Sequence, residues 1–271
     1  MNIVDFHVHT APSLVARHHD DTEIGAVLAA AGIRTYVLKA HEGSTAERAL
    51  LAGPGAVGSI VLNSPVGGAN PDAVKVAAAF GARVVWMPTI SAAAHQQAAD
   101  SAELGVHRGV RFRAVRVTEG EHVCPEWNDV FDEIAAADMV LAAGHISLDE
   151  AVTVFHAARR RGVRRFLVNH PLLPFLGWRT EHVDQLLELG AYVELGVLAD
   201  LLAGPGDETP TRRLAAVYPA SLLVFGSDLG HCDYPDVEPG LEQWMAATAH
   251  DLPAEVIDRM TTTNGKELLA R

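Results

Sequence analysis

Two histidines, His7 and His9, close a short apolar run near the N-terminus, Asn2-Ile3-Val4-Asp5-Phe6-His7-Val8-His9-Thr10. If this run is a strand, its side chains alternate and both imidazoles point the same way. Two imidazoles on one face at a strand end suit a grip on one metal ion. The plainer alternative is a pair of buried structural histidines, each needing its own hydrogen-bond partners. Similar polar residues recur after other apolar runs: Lys39 and His41, Asn63, Thr89, His145 and His170. Glu194 lies within a further run, and Asp228 follows the last one with His231 close behind.

Neutral imidazoles and a carboxylate suit zinc or another divalent first-row metal, with Mn2+ or Fe2+ as alternatives to Zn2+. Such an ion lowers the pKa of bound water and polarises a carbonyl. A carboxylate beside that water can take its proton and return it to a leaving group. Asp228 ends the run Leu222-Leu-Val-Phe-Gly-Ser-Asp228, where a hydrophobic strand breaks into polar residues. It reads as a catalytic base or metal ligand, against the simpler reading of a cap for the next helix. Gly144, before His145, permits a close backbone approach.

These residues need a scaffold that brings strand ends together. Eight apolar runs read as strands: Val4–His9, Thr35–Lys39, Val57–Leu62, Arg83–Met87, Val140–Ala142, Arg165–His170, Ala191–Leu195 and Leu222–Gly226. Helical patterns separate them, at Thr22–Ala31, Thr45–Leu51, Pro71–Phe80, Trp127–Ala137, Leu148–Arg161, Thr180–Leu189 and Pro210–Val217. Leu241–Thr248 and Ala254–Arg259 read as closing helices. Ser91–Glu103 reads as helix or loop, and Val110–Val117 as a small hairpin or extended excursion. Eight strands alternating with helices fit a single (β/α)8 barrel over residues 1–271, which would carry catalytic groups at the C-terminal strand ends. An open doubly wound sheet is the alternative, but no Gly-x-Gly-x-x-Gly follows the first strand.

The composition narrows the partners. A net charge of −13 makes nucleic acid and anionic membrane poor partners for the surface as a whole. No apolar run reaches the ~20 residues needed to span a bilayer. Two cysteines, Cys124 and Cys232, give no disulfide framework, and no signal-like segment opens the chain, so the cytoplasm is the expectation. The partner expected is a small molecule.

Taken together, these residues resemble the metal-dependent amidohydrolase superfamily. The matching pieces are Asp5-Phe6-His7-Val8-His9, His145, His170, Gly226-Ser227-Asp228 and the tail Thr261–Leu269. The stretches Val37–His41, Ile60–Asn63 and Val84–Thr89 are similar to an uncharacterised amidohydrolase-related family. The resemblance implies a distorted barrel binding one or two divalent metals. His7, His9 and Asp228 would hold the more buried ion, while His145 and His170 would hold a second or orient substrate. It implies hydrolysis of a small polar molecule, an amide or cyclic amide first, with a phosphoester or lactone next. A non-catalytic metal- or metabolite-binding barrel is the contrasting class. Many binuclear members carry a carboxylated lysine or a glutamate at the end of strand four, whereas this chain reads Trp86-Met87-Pro88-Thr89. Lys39, on strand two, is a carboxylated ligand, an ammonium facing substrate or a partner of Asp5. His41 is a further candidate ligand, as in histidine-rich phosphoesterases, although the Asp228/His231 spacing departs from theirs.

On the substrate side, Arg111 and Arg113 sit two apart in an extended stretch, so they face one way and suit a carboxylate or phosphate clamp. A solvated basic edge is the equal alternative. His231 and Glu194 are further substrate-binding candidates. The apolar loop Pro171–Trp178 reads as pocket wall, lid or the contact of a homo-oligomer. His95 has no strand-end placement and ranks below the rest.

Overall fold

The computed structural model describes residues 2–101, 110–203 and 208–270. Eight parallel barrel strands run in chain order. They are β1 (Ile3–Val8), β2 (Ile33–Leu38), β3 in two pieces (Ala56–Val57 and Ser59–Val61), β4 (Val84–Trp86), β5 (Val140–Ala142), β6 (Arg165–Val168), β7 (Tyr192–Leu195) and β8 (Leu223–Phe225). The first piece of β3 pairs with β2, and the second pairs with β4. The break falls at Gly58, where a Cβ would stand 2.6 Å from the Ala46 Cα. The single third strand expected from the sequence is therefore split by a close helix approach.

The ring closes between β1 and the turn after β8. Asp228 N donates to His7 O at 2.8 Å, and His9 N donates to Leu229 O at 3.0 Å. This closure makes the architecture a distorted (β/α)8 barrel. Val4, Phe6, Val37, Val61, Val84, Trp86, Val140, Leu167 and Val224 form an inner apolar cluster. Leu268, on the C-terminal helix Asn264–Leu269, completes that cluster. A second, larger cluster lies between the strands and the outer helices.

Several helix bounds differ from the sequence reading. The last long helix spans Val237–Asp251, starting before Leu241. Pro239 sits in its first turn, where a missing N–H breaks no intrahelical bond. A short helix, Val197–Leu201, follows β7 where none is expected. Residues 110–117 form no hairpin; the two-stranded hairpin lies further on, pairing Thr118–Glu119 with His122–Val123. Within Ser91–Glu103 the helix is Ala93–Asp100, and residues 102 and 103 lie outside the described residues.

The helix after β5, Leu148–Arg160, starts from a capping box. Ser147 Oγ accepts from Glu150 N, and Ser147 N donates to the Glu150 carboxylate. The pair satisfies two N–H groups that the helix cannot. Ser147→Ala is expected to cost about 1 kcal/mol, read as a melting-temperature drop of roughly 2–4 °C. Ser147→Asp should recover most of it. An unchanged melting temperature in the alanine variant would contradict this role.

Candidate metal centre

His7 and His9 share a face, with ring centroids 5.1 Å apart. Their Nε2 atoms converge on one carboxylate oxygen: Asp228 Oδ1 lies 3.0 Å from His7 and 3.1 Å from His9. These three residues offer ligand atoms within 4.8 Å of one another, the one such group among the described residues. Ligands held about 2.0–2.1 Å from a tetrahedral ion lie about 3.3 Å apart, close to this spacing.

The turn carrying Asp228 is stitched to β1. Asp5 Oδ1 accepts from His7 N at 3.0 Å and from Ser227 N at 2.8 Å. Ser227 Oγ donates to His7 O at 3.1 Å. Asp228 takes φ +53°, a left-handed conformation more accessible to Asp and Asn than to most residues. It does not cap the next helix, because Asp236 does, accepting from Val237 N at 2.7 Å.

Glu194 stands behind His7 rather than in the cleft. His7 Nδ1–H donates to Glu194 Oε1 at 2.9 Å, which leaves the Nε2 lone pair for the site. Burial pushes Glu194 well above the usual carboxylate range, while the nearby Lys39 charge pulls it down. Its Oε2 is buried without a partner. Burial lowers His7 to about 3, so its imidazole is neutral and ligand-ready at pH 7. Lys39 Nζ donates to His7 Nε2 at 2.9 Å and sits 4.7 Å from the Trp86 ring centre. Burial lowers Lys39 to about 8, opposed by Asp228 and Glu194. A bound ion and Lys39 would compete for the His7 Nε2 lone pair. Two converging imidazole nitrogens and a shared carboxylate oxygen fit a divalent cation.

The other candidates ring this centre. His170 has φ +31°, takes a hydrogen bond from Asn169 Nδ2 at 2.9 Å and stands 3.9 Å from Asp228 Oδ2. His41 Nδ1 pairs with Thr89 Oγ1 at 2.8 Å, and Asn63 Nδ2 donates to the same hydroxyl at 2.7 Å. His145 Nδ1 meets His95 Nδ1 at 2.7 Å. The close approach that Gly144 permits is to the Met87 carbonyl, whose oxygen lies 2.2 Å from where a Cβ would stand. It lets His145 N bond to Pro88 O at 2.9 Å.

The cleft above is lined by His9, Lys39, His41, His145, His170 and Asp228, as the strand ends lead one to expect. His231 also lines it. Arg111 and Arg113 do not: both are exposed, and Arg111 pairs with Asp100 at 2.6 Å. Period two puts them on one side, and that side faces outward. The sequence reading missed Arg17, His95 and Tyr234 as lining residues, and Phe175 from the apolar loop joins them.

Solved structures share this fold. An amidohydrolase from Pseudomonas aeruginosa aligns at TM-score 0.65 with 10% identity, covering 99% of this chain and 95% of its own. A Pseudomonas putida protein described as a candidate 2-pyrone-4,6-dicarboxylic acid hydrolase aligns at 0.62 with 16% identity, covering 99% and 97%. A 2,6-dihydroxybenzoate decarboxylase, solved with 2,6-dihydroxybenzoate, aligns at 0.62 with 12% identity, covering 99% of each chain. No curated protein matches by sequence. At these identities the likeness is one of fold, a distorted (β/α)8 barrel. A family model described as a family of unknown function, DUF6282, matches residues 2–194, and the chain belongs to that family.

Proposed function

We propose that this protein is a metal-dependent hydrolase of a small polar substrate, acting on an amide or cyclic-amide C–N bond. The observation that carries the reading is the convergence of His7 Nε2 and His9 Nε2 on Asp228 Oδ1, with Glu194 fixing the His7 tautomer. His7, His9 and Asp228 would hold the ion, with zinc suiting the donor set best. When bound, a divalent ion there supplies Lewis acidity and acidifies water.

The chain's own groups supply the rest. Asp228 takes a proton from the attacking water and delivers it to the leaving nitrogen. The Lys39 ammonium and the His145–His95 pair orient the substrate carbonyl. His170 borders the Asp228 Oδ2 side of the cleft. In this proposal residues 1–271 act as one barrel domain, with the cytoplasm as its compartment. Among the described residues, no helix is long and apolar enough to cross a membrane, and neither Cys124 nor Cys232 forms a disulfide.

A metal that binds only the folded chain stabilises it by about 2.7 kcal/mol at 100 times its Kd. Zinc is therefore expected to raise the melting temperature by roughly 5–10 °C, and a chelator should reverse the shift. If neither zinc nor manganese moves the transition and no ion co-purifies, the reading fails. A panel of amide, lactone and phosphoester substrates with added zinc or manganese then tests the bond. Turnover of amides is expected; phosphate release without amide turnover would replace the C–N assignment by a phosphoesterase.

A further inference from the structure

Arg17 stands apart from the other cleft residues. It lines the cleft beside His9, Lys39 and Asp228, and its Nε is buried without a hydrogen-bond partner. No ion pair within 4 Å involves its guanidinium among the described residues. By contrast, Arg48 is paired with Asp21 at 2.7 Å, and Arg179 with Asp149 and Glu181. A guanidinium keeps its charge at any physiological pH and presents parallel N–H donors to a carboxylate. A buried donor without a partner is unfavourable until something fills it.

The surrounding loops hold Arg17 in place without using its side chain. Its backbone bridges to His231. His18 N donates to Gly230 O at 2.9 Å, and Cys232 N donates to Ala16 O at 3.2 Å. His18 Nε2 meets Tyr234 O at 2.9 Å, and His19 meets the Asp236 carboxylate at 2.8 Å. The loop after β1 is thereby tied to the loop that carries Asp228. The backbone that carries Arg17 and the turn that carries Asp228 are thus held side by side, which suits a substrate gripped at two points.

The cleft's remaining wall is apolar: Leu173, Phe175, Leu198, Ala199 and Leu202, with the ring of Tyr234. Resting on the metal-hydrolase reading above, we infer that Arg17 is the anchor for a substrate carboxylate, and that the substrate is a monoanionic carboxylic acid with a compact apolar or aromatic body. The Arg17 fork matches one carboxylate. Asp228 already lines the cleft and Glu42 also faces Arg17 electrostatically, which disfavours a phosphate dianion.

The test is calorimetric binding to the zinc-loaded protein of benzoate, of its neutral isostere benzamide, and of phenyl phosphate. Benzoate should bind at least ~10-fold more tightly than benzamide, in line with loss of one charge-assisted contact. Arg17→Gln should abolish that preference while zinc content stays at the wild-type level. Arg17→Lys, which keeps the charge but not the fork, should retain a part of it. Circular dichroism confirms that both variants fold. The inference is overturned if the wild type fails to prefer benzoate, if Arg17→Gln keeps the preference, or if phenyl phosphate binds more tightly than benzoate through Arg17. Zinc binding and its melting-temperature shift, measured on the same samples, separate the two readings. Intact zinc binding without a benzoate preference sinks this inference alone, and absent zinc binding in the wild type sinks the hydrolase reading beneath it.

Discussion

Asp228→Asn is expected to cut turnover by at least about 10²-fold, the usual range for removing an acid–base group. The substitution keeps the size of the side chain and removes its charge and basicity. The backbone should tolerate it, because Asn adopts left-handed conformations as readily as Asp and Asp228 sits at φ +53°. The bond from Asp228 N to His7 O, which closes the barrel, does not involve the side chain. Metal occupancy should also fall, since an amide oxygen replaces the anion shared by His7 and His9. Occupancy by atomic absorption and turnover on the best substrate of the panel must therefore come from one sample. A fully metallated variant with near-normal turnover would remove Asp228 from proton transfer. His231, which lines the cleft, would then be the next base to test, ahead of Glu194, which is turned toward His7 behind it.

The strand ends are legible in the sequence because they obey a local rule. Apolar runs with polar residues at their C-terminal ends mark barrel strands, and period two alone places His7 and His9 on one side. What local pattern cannot convey is partnership across the ring. Glu194 reads as a polar residue in a strand, but its bond to His7 spans 187 positions. The cap has the same origin: Asp228 reads as a candidate for it, Asp236 takes the role, and the closure of β8 on β1 reserves Asp228 for the site.

Residues delivered by loops and helices are harder still to read. His95 rides on the helix Ala93–Asp100, and Arg17 on the loop after β1, so neither occupies a strand end. Arg111 and Arg113 carry a pattern and Arg17 carries none, yet the cleft holds Arg17. Periodicity fixes which residues share a side; packing decides which side is buried. The lysine expected near the metal does follow β2, but among the partners considered for it, Asp5 is not the one found. Lys39 meets His7, while Asp5 is taken up by two backbone N–H groups.

Glu194→Ala is expected to weaken zinc binding by about 10–100-fold, the range for removing the partner of a metal-binding histidine. His7 Nδ1–H is buried and its acceptor is Glu194 Oε1 at 2.9 Å. That bond selects the tautomer whose Nε2 lone pair faces Asp228, and it holds the ring in plane with the site. The fold reserves the space for this carboxylate: a Cβ on Gly226 would lie 2.6 Å from Glu194 Cδ. With alanine, the N–H loses its acceptor inside the protein and the ring loses its fixed orientation. Glu194→Gln keeps a carbonyl that can accept from Nδ1–H, at nearly the same volume. If orientation is the main contribution, the glutamine variant should lose less than about 10-fold in affinity while the alanine variant loses more. If the negative charge is the main contribution, both variants should lose alike. Competition titrations against a zinc chelator at fixed pH measure the affinities, with circular dichroism confirming that each variant is folded. Wild-type affinity in folded Glu194→Ala would show that His7 needs no partner, and would leave the buried carboxylate without a part in the centre.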